Sequence, residues 1–80
     1  MTRLTIYSRP GCHLCEEMKT LVQSVGRSLG FELEEIDISG DDELERLYGL
    51  EIPVLLVNGR KAAKYRIEEA ALRRILSGAA

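Results

Sequence analysis

The 80-residue chain has no tryptophan, a single phenylalanine, two prolines, one histidine and two cysteines. A chain of this length forms one modest core, so we expect one domain over residues 1–80. It has no apolar run near the roughly 20 residues that a membrane-spanning helix needs. Its first residues also lack the apolar stretch of a signal peptide, and we therefore expect a cytoplasmic protein.

The sequence also lacks a cluster of basic residues. Eleven lysines and arginines are interspersed with 13 aspartates and glutamates, which gives a net charge of −2. The basic residues form only pairs such as Arg60-Lys61 and Arg73-Arg74, which we interpret as solvated faces. The positive surface with which proteins bind nucleic acids is therefore missing. We expect a monomer without a nucleic-acid or membrane partner.

The first half of the chain has the pattern of a βαβ unit. Residues Arg3 to Ser8 are rich in β-branched and aromatic types and end at a Pro-Gly turn, which predicts a strand. A helix from about Cys12 to Leu29 follows, with Gly30 placed to end it. Its apolar face comprises Leu14, Met18, Leu21, Val22, Val25 and Leu29. Phe31 to Ile38 is predicted to be an edge strand, parallel to the first.

The second half predicts a short helix, a hairpin and a closing helix. Ser39 or Asp41 can cap the short helix, and Gly49 is expected to end it in a left-handed conformation. Asn58-Gly59 is the preferred sequence of a two-residue type I′ hairpin. Its first arm, Val54 to Val57, is apolar throughout and is expected at the centre of the sheet. The closing helix has its apolar face at Ile67, Ala71, Leu72, Ile75 and Leu76.

The predicted order is therefore β-α-β-α-β-β-α. This is an α/β fold with a four-stranded mixed sheet and helices on both faces. Lys61 and Lys64 in the second hairpin arm indicate that this strand also lies at an edge of the sheet.

Both cysteines, Cys12 and Cys15, lie at the start of the first predicted helix. Helix positions three apart lie about 5–6 Å apart on one side, within the Cα separation that a disulfide needs. The loop it closes is very small, so a reversible role fits better than a stabilising one. The helix N-terminus favours a thiolate and is expected to lower the pKa of Cys12. Cys12 is therefore the candidate nucleophile and Cys15, facing the core, the candidate resolving thiol.

Charged neighbours act on Cys12 in both directions. Arg9 and His13 add positive charge beside it, whereas Glu16 opposes a thiolate. We interpret His13 as an exposed helix residue that at most tunes the Cys12 pKa, in preference to a general base. Two other interpretations of the cysteine pair stay open: buried structural residues, or half of a metal site. A zinc or iron–sulfur site normally needs four ligands, so this chain would need a second copy or an external thiol.

With these features the chain resembles the glutaredoxin-like proteins of the thioredoxin superfamily over essentially its whole length. The resemblance rests on "LTIYSRPGCHLC", on "EIPVLLVNGR" and on the order of elements. It implies the minimal thioredoxin fold, with the strands in the order second, first, third, fourth. It also implies a cis peptide bond before Pro53, which would lie against the cysteine pair. The backbone of Ile52 would then pair with an extended substrate segment and present its disulfide to Cys12.

The sequence departs from the usual glutaredoxin pattern around this site. His13-Leu14 stands where Pro-Tyr is usual, and Glu51 brings a negative charge close to where the carboxylates of glutathione would lie. "KYRIEEA" has none of the glycines usual before the last helix. Arg9 does match a basic position that binds the glycine carboxylate of glutathione, and Arg66 is a second candidate contact. These departures argue against the usual glutathione site.

The sequence thus predicts a small thiol–disulfide oxidoreductase that holds no cofactor. Cys12 attacks a disulfide in a protein or small molecule, Cys15 resolves it, and glutathione or a reductase reduces the chain again. Arg9, His13, Ile52 and Pro53 are the candidate substrate-binding residues. Two alternatives remain: an iron–sulfur or zinc module that uses the same cysteines in a dimer, and a peptide-binding adaptor without turnover.

Overall fold

A computed structural model describes residues 2–78 of the chain. The elements are β1 (Arg3–Ser8), α1 (His13–Leu29), β2 (Glu32–Asp37), α2 (Asp42–Tyr48), β3 (Val54–Val57), β4 (Arg60–Lys64) and α3 (Glu69–Gly78). The four strands form one sheet in the order β2-β1-β3-β4. β1 and β2 are parallel, whereas β3 runs antiparallel to both β1 and β4. The predicted element order and mixed sheet are confirmed.

The helices lie on both faces of the sheet. Successive side chains of a strand point to opposite faces, and β1 buries Leu4 and Ile6 on one of them. That face packs against α1 and α3 in one cluster: Met18, Val22, Val25, Leu72 and Leu76. On the other face, the ring of Tyr7 stacks on Tyr48 of α2 with centroids 4.6 Å apart. The predicted apolar face of α1 is confirmed, although the side chain of Leu29 lies outside the described residues.

Each of the first two helices begins at a capping side chain. Cys12 caps α1, and Asp41 caps α2 by accepting a hydrogen bond from the Leu44 N–H at 3.0 Å. The expected left-handed conformation at Gly49 is wrong, since its φ of −54° and ψ of −32° are right-handed. The reason is that the chain continues from α2 into a turn of the same, right-handed sense, in which the Glu51 N–H donates to the Tyr48 carbonyl at 2.8 Å.

The β3–β4 hairpin has the predicted two-residue turn. Asn58 and Gly59 have φ of 51° and 84°, the positive values that a type I′ turn requires at both positions. The turn is joined to the start of β1, because the Asn58 N–H donates to the Arg3 carbonyl at 2.8 Å. The pairing of β3 with β4 shifts between Leu55 and Leu56, which the sequence pattern did not predict. Such a bulge bends the edge strand locally.

Both edge strands carry charged side chains at exposed positions. β2 exposes Glu32, Glu34, Glu35 and Asp37, and β4 exposes Arg60, Lys61 and Lys64. The predicted edge positions of these strands are confirmed by the strand order. Charges of this kind discourage pairing with another chain.

Among residues 2–78, none of the helices has both the length and the apolar character needed to traverse a bilayer.

Gly26, near the end of α1, leaves room for the ring of Phe31. A Cβ built on Gly26 would lie 2.8 Å from Cζ and 2.9 Å from Cε1 of that ring. Phe31 in turn packs against the core cluster. The glycine therefore allows a close approach that any larger residue would disturb.

We expect Gly26→Ala to leave the free energy of unfolding unchanged or lower, because the new methyl group displaces the Phe31 ring. Helix propensity alone would raise this free energy by about 1 kcal/mol. In a Phe31→Leu background, which removes the far end of the ring, Gly26→Ala should give that increase. Urea denaturation of the four proteins measures both effects. An equal stabilisation in the two backgrounds would contradict the proposed role of the ring.

Candidate active site

The cysteine pair and the loop before β3 lie at the same end of the sheet. β1 and β3 are antiparallel, with Tyr7 opposite Val54. The chain leaves β1 after Ser8 towards the cysteines, and it enters β3 from Pro53 at that same end. The Ile52-Pro53 peptide bond is cis, as the family resemblance implied. The strand register therefore brings two segments together that are about 40 residues apart in the sequence.

Cys12 and Cys15 form a disulfide across the first turn of α1. Their Cα atoms are 5.2 Å apart, within the range that disulfides adopt. The Cys12 Sγ also caps the helix, since it accepts a hydrogen bond from the Cys15 N–H at 3.1 Å. Cys15 is only 1% exposed, whereas Cys12 is partly exposed. Of the two, Cys12 is the cysteine that a second molecule can approach.

A tight turn places Cys12 at the helix start. The Cys12 N–H donates to the Arg9 carbonyl at 3.2 Å, which closes the turn over Pro10 and Gly11. Gly11 has φ of 80°, a conformation that side-chain-bearing residues rarely adopt. Pro10 fixes its own φ, so the two residues together define the entry into α1.

Arg9 is held by α2. Its guanidinium donates a hydrogen bond to the Glu45 carboxylate, and both side chains are 39% exposed. The sequence analysis predicted Arg9 as a substrate-binding residue. In the structure its guanidinium already pairs with a carboxylate of the same chain, so a substrate carboxylate would compete with Glu45.

A second ion pair supports β1 from the α1 side. The hydroxyl of Ser8, which is buried, donates to the Glu35 carboxylate at 3.2 Å. The Lys19 ammonium lies 3.1 Å from the same carboxylate. Hydrogen bonding to Glu35, and then its negative charge, raise the pKa of Lys19. These contacts join α1, β1 and β2 next to the cysteine turn.

Glu51, two residues before Pro53, forms ion pairs with side chains of β4. Its carboxylate accepts a hydrogen bond from the Lys61 ammonium, and the Lys64 ammonium lies 3.9 Å away. The hydrogen bond from Lys61 lowers the pKa of the Glu51 carboxyl, with the charges of Lys61 and Lys64 acting in the same direction. The negative charge that the sequence indicated beside the site is therefore largely compensated by β4.

Tyr65 fixes the backbone of the same loop. Its hydroxyl donates to the Leu50 carbonyl at 3.0 Å, and its N–H donates to the Pro53 carbonyl at 2.9 Å. Tyr65 itself has φ of 67°, uncommon for a residue with a side chain. The predicted site residue Ile52 lies between these two anchor points and is partly buried.

Sequence reasoning missed the exposed apolar side chains around this loop. Leu50 is 93% exposed, Leu47 46% and Tyr65 44%. An apolar residue inside a predicted loop was the available signal for Leu50.

His13, the first residue of α1, is exposed, as the sequence analysis expected.

The described part of the chain brings together no group of three or more His, Cys, Asp or Glu side chains that could hold a metal ion. The alternative of a metal shared between molecules stays a prediction of the sequence.

We expect the Lys61→Gln variant to raise the pKa of the Glu51 carboxyl, because it removes the hydrogen bond and a positive charge. Lys64→Gln should raise it less, since its ammonium lies 3.9 Å away. Because the pKa of Glu51 is lowered in the folded protein, its ion pair adds to the free energy of unfolding above the pKa that the carboxyl has in the unfolded chain. This contribution is lost as the pH falls through the pKa of Glu51 in the folded protein. Carboxyl ¹³C titration measures the pKa values. An unchanged Glu51 titration in Lys61→Gln would contradict this pairing.

Comparisons with known proteins agree with this architecture. The family described as "Glutaredoxin-like domain (DUF836)" matches residues 3–77. Protein Ne2328 from Nitrosomonas europaea is 34% identical, with a TM-score of 0.80 over 92% of this chain and 89% of that one. Protein XcR50 from X. campestris is 32% identical, with a TM-score of 0.77 over 96% and 99% of the two chains.

A thioredoxin from Halobacterium salinarum, in a mutant form, shares the fold. It is 20% identical, with a TM-score of 0.67 over 96% of this chain and 73% of that one. Together with the β2-β1-β3-β4 sheet and the cis bond at Pro53, the match over residues 3–77 identifies the chain. It belongs to the glutaredoxin-like domain family (DUF836) and has the thioredoxin fold.

Proposed function

We propose that the protein is a thiol–disulfide oxidoreductase in which Cys12 and Cys15 exchange a disulfide with a substrate. One observation carries this proposal: the two cysteines form a disulfide at the N-terminus of α1, with Cys12 partly exposed and Cys15 buried. Fold and family membership support a redox role of this pair.

The first step is attack by the Cys12 thiolate on one sulfur of the substrate disulfide. A bond forms between that sulfur and the Cys12 Sγ, and the substrate S–S bond breaks, so the second substrate sulfur leaves as a thiolate that takes up a proton. The start of α1 favours the reactive form, because the Cys15 N–H and the positive end of the helix dipole both point at the Cys12 sulfur.

The second step is attack by Cys15 on the Cys12 sulfur of the mixed disulfide. The first substrate sulfur leaves as a thiolate, and the protein retains the Cys12–Cys15 disulfide. The two electrons that reduce the substrate thus come from the two cysteines. Their Cα separation of 5.2 Å lets this bond form within the first turn of the helix. Glutathione or a reductase then returns the pair to the dithiol.

Substrate would approach along the loop before β3. The backbone of Ile52, next to the cis bond at Pro53, is proposed to pair with an extended substrate segment. His13, which is exposed at the first position of α1, is proposed to contact the same segment. Leu50, the most exposed of the large apolar side chains described, adds a surface for it.

We expect the Cys15→Ser variant to accumulate a mixed disulfide with substrate on Cys12, because the resolving thiol is missing. The matched Cys12→Ser variant should form none and should reduce substrate at the background rate. Incubation with a disulfide-bonded protein such as insulin, followed by non-reducing electrophoresis and mass spectrometry, measures both. A mixed disulfide at Cys15 in Cys12→Ser, at the same rate, would reverse the assigned roles. Disulfide reduction that survives Cys12→Ser would overturn the proposed function.

A further inference from the structure

An open groove runs along α1 from Leu14. It has a volume of about 640 Å³ and is formed by α1, by the residues after β4 and by α3. Its lining is Leu14, Glu17, Met18, Leu21, Tyr65, Arg66, Ile67, Glu68 and Ala71. Leu14 lies between the two cysteines in the sequence, and the Tyr65 N–H donates a hydrogen bond to the Pro53 carbonyl. One end of the groove therefore lies at the candidate active site.

The floor of the groove is apolar. Met18 is buried, and Leu14, Leu21 and Ile67 are partly exposed. From Leu14 to Leu21 the helix rises by about 10 Å, which is the length of about three residues of extended chain. A segment of that length could lie along the groove with one large apolar side chain against its floor.

The rim of the groove is acidic. Its charged residues are the carboxylates of Glu17 and Glu68 and the guanidinium of Arg66, all exposed. Neither carboxylate makes a hydrogen bond or an ion pair with another described residue. This contrasts with Glu45 and Glu51, whose carboxylates are paired with Arg9 and Lys61. The rim thus has a net charge of −1 and offers two carboxylates that are unpaired within the described residues to an incoming segment.

We propose that this groove binds an extended segment of a partner protein that carries a large apolar residue and a lysine or arginine beside the disulfide. The inference rests on the proposed function, since it names the substrate class for the exchange at Cys12. Charge complementarity selects this occupant: a basic side chain meets Glu17 and Glu68, whereas the two carboxylates of glutathione would face them. The apolar floor accounts for the apolar residue.

A single-turnover assay with short peptide disulfides tests the proposal. Fully reduced protein is mixed with homodimeric disulfides of equal length, whose cysteine is followed by Leu-Lys, Leu-Gln, Leu-Glu or Gly-Lys, and with oxidised glutathione. Each exchange converts one peptide disulfide into two peptide thiols and oxidises Cys12 and Cys15 to their disulfide. Chromatography of acid-quenched samples gives the rate constants, so no added reductant is needed.

At low salt we expect the Leu-Lys peptide to react about tenfold faster than the Leu-Glu peptide, with Leu-Gln in between. Gly-Lys and oxidised glutathione should both react more slowly than Leu-Lys. Added salt should reduce the Lys-to-Glu ratio, because the rim is exposed to solvent.

Two double variants with the same change of charge separate the groove from the overall field of the protein. Glu17→Gln with Glu68→Gln should lower the Lys-to-Glu ratio to about twofold or less. The control is Glu32→Gln with Glu34→Gln on β2, at the other edge of the sheet, and it should keep the ratio.

The outcomes distinguish this inference from the function on which it rests. Exchange with equal rates for the Lys and Glu peptides, or fastest exchange with oxidised glutathione, would overturn the groove assignment and leave the oxidoreductase intact. An equal loss of the ratio in both double variants would also overturn it. Failure of every disulfide to react would overturn the proposed function as well.

Discussion

The antiparallel register of β1 and β3 is the constraint on which the rest of the site depends. With Tyr7 opposite Val54, the end of one central strand and the start of the other meet at one end of the sheet. The cysteine turn follows the first strand, and the cis bond precedes the second. At the far end of the two strands Asn58 holds this register, since its N–H donates to the Arg3 carbonyl at 2.8 Å and its side-chain oxygen accepts from the Arg3 N–H at 2.9 Å.

At this end of the sheet, neighbouring elements hold the site by a small number of polar and aromatic contacts. The ion pair of Arg9 with Glu45 joins the cysteine turn to α2. The ion pair of Glu51 with Lys61 joins the loop before β3 to the hairpin. Exposed ion pairs contribute little stability individually. Their effect here is positional, because each joins a segment without regular structure to an adjacent helix or strand.

The sequence was sufficient for the features that depend on local geometry. Element order follows from apolar periodicity, the hairpin from Asn58-Gly59, and the disulfide from the three-residue spacing of Cys12 and Cys15 on a helix. The cis bond followed from the family resemblance and not from the local sequence. Features that depend on distant partners were missed: Glu45 meets Arg9 across 36 positions. The exposure of Leu50 likewise depends on how the loop is held in the tertiary structure.

The proposed chemistry requires that Cys12 and Cys15 form a reversible redox couple. It is tested most directly by equilibrating the protein in a series of glutathione redox buffers, trapping free thiols with an alkylating reagent and weighing the products. We expect one two-electron transition between a doubly alkylated dithiol and an unmodified intramolecular disulfide. Free thiols that persist under oxidising conditions, or glutathione adducts in place of the intramolecular disulfide, would contradict it.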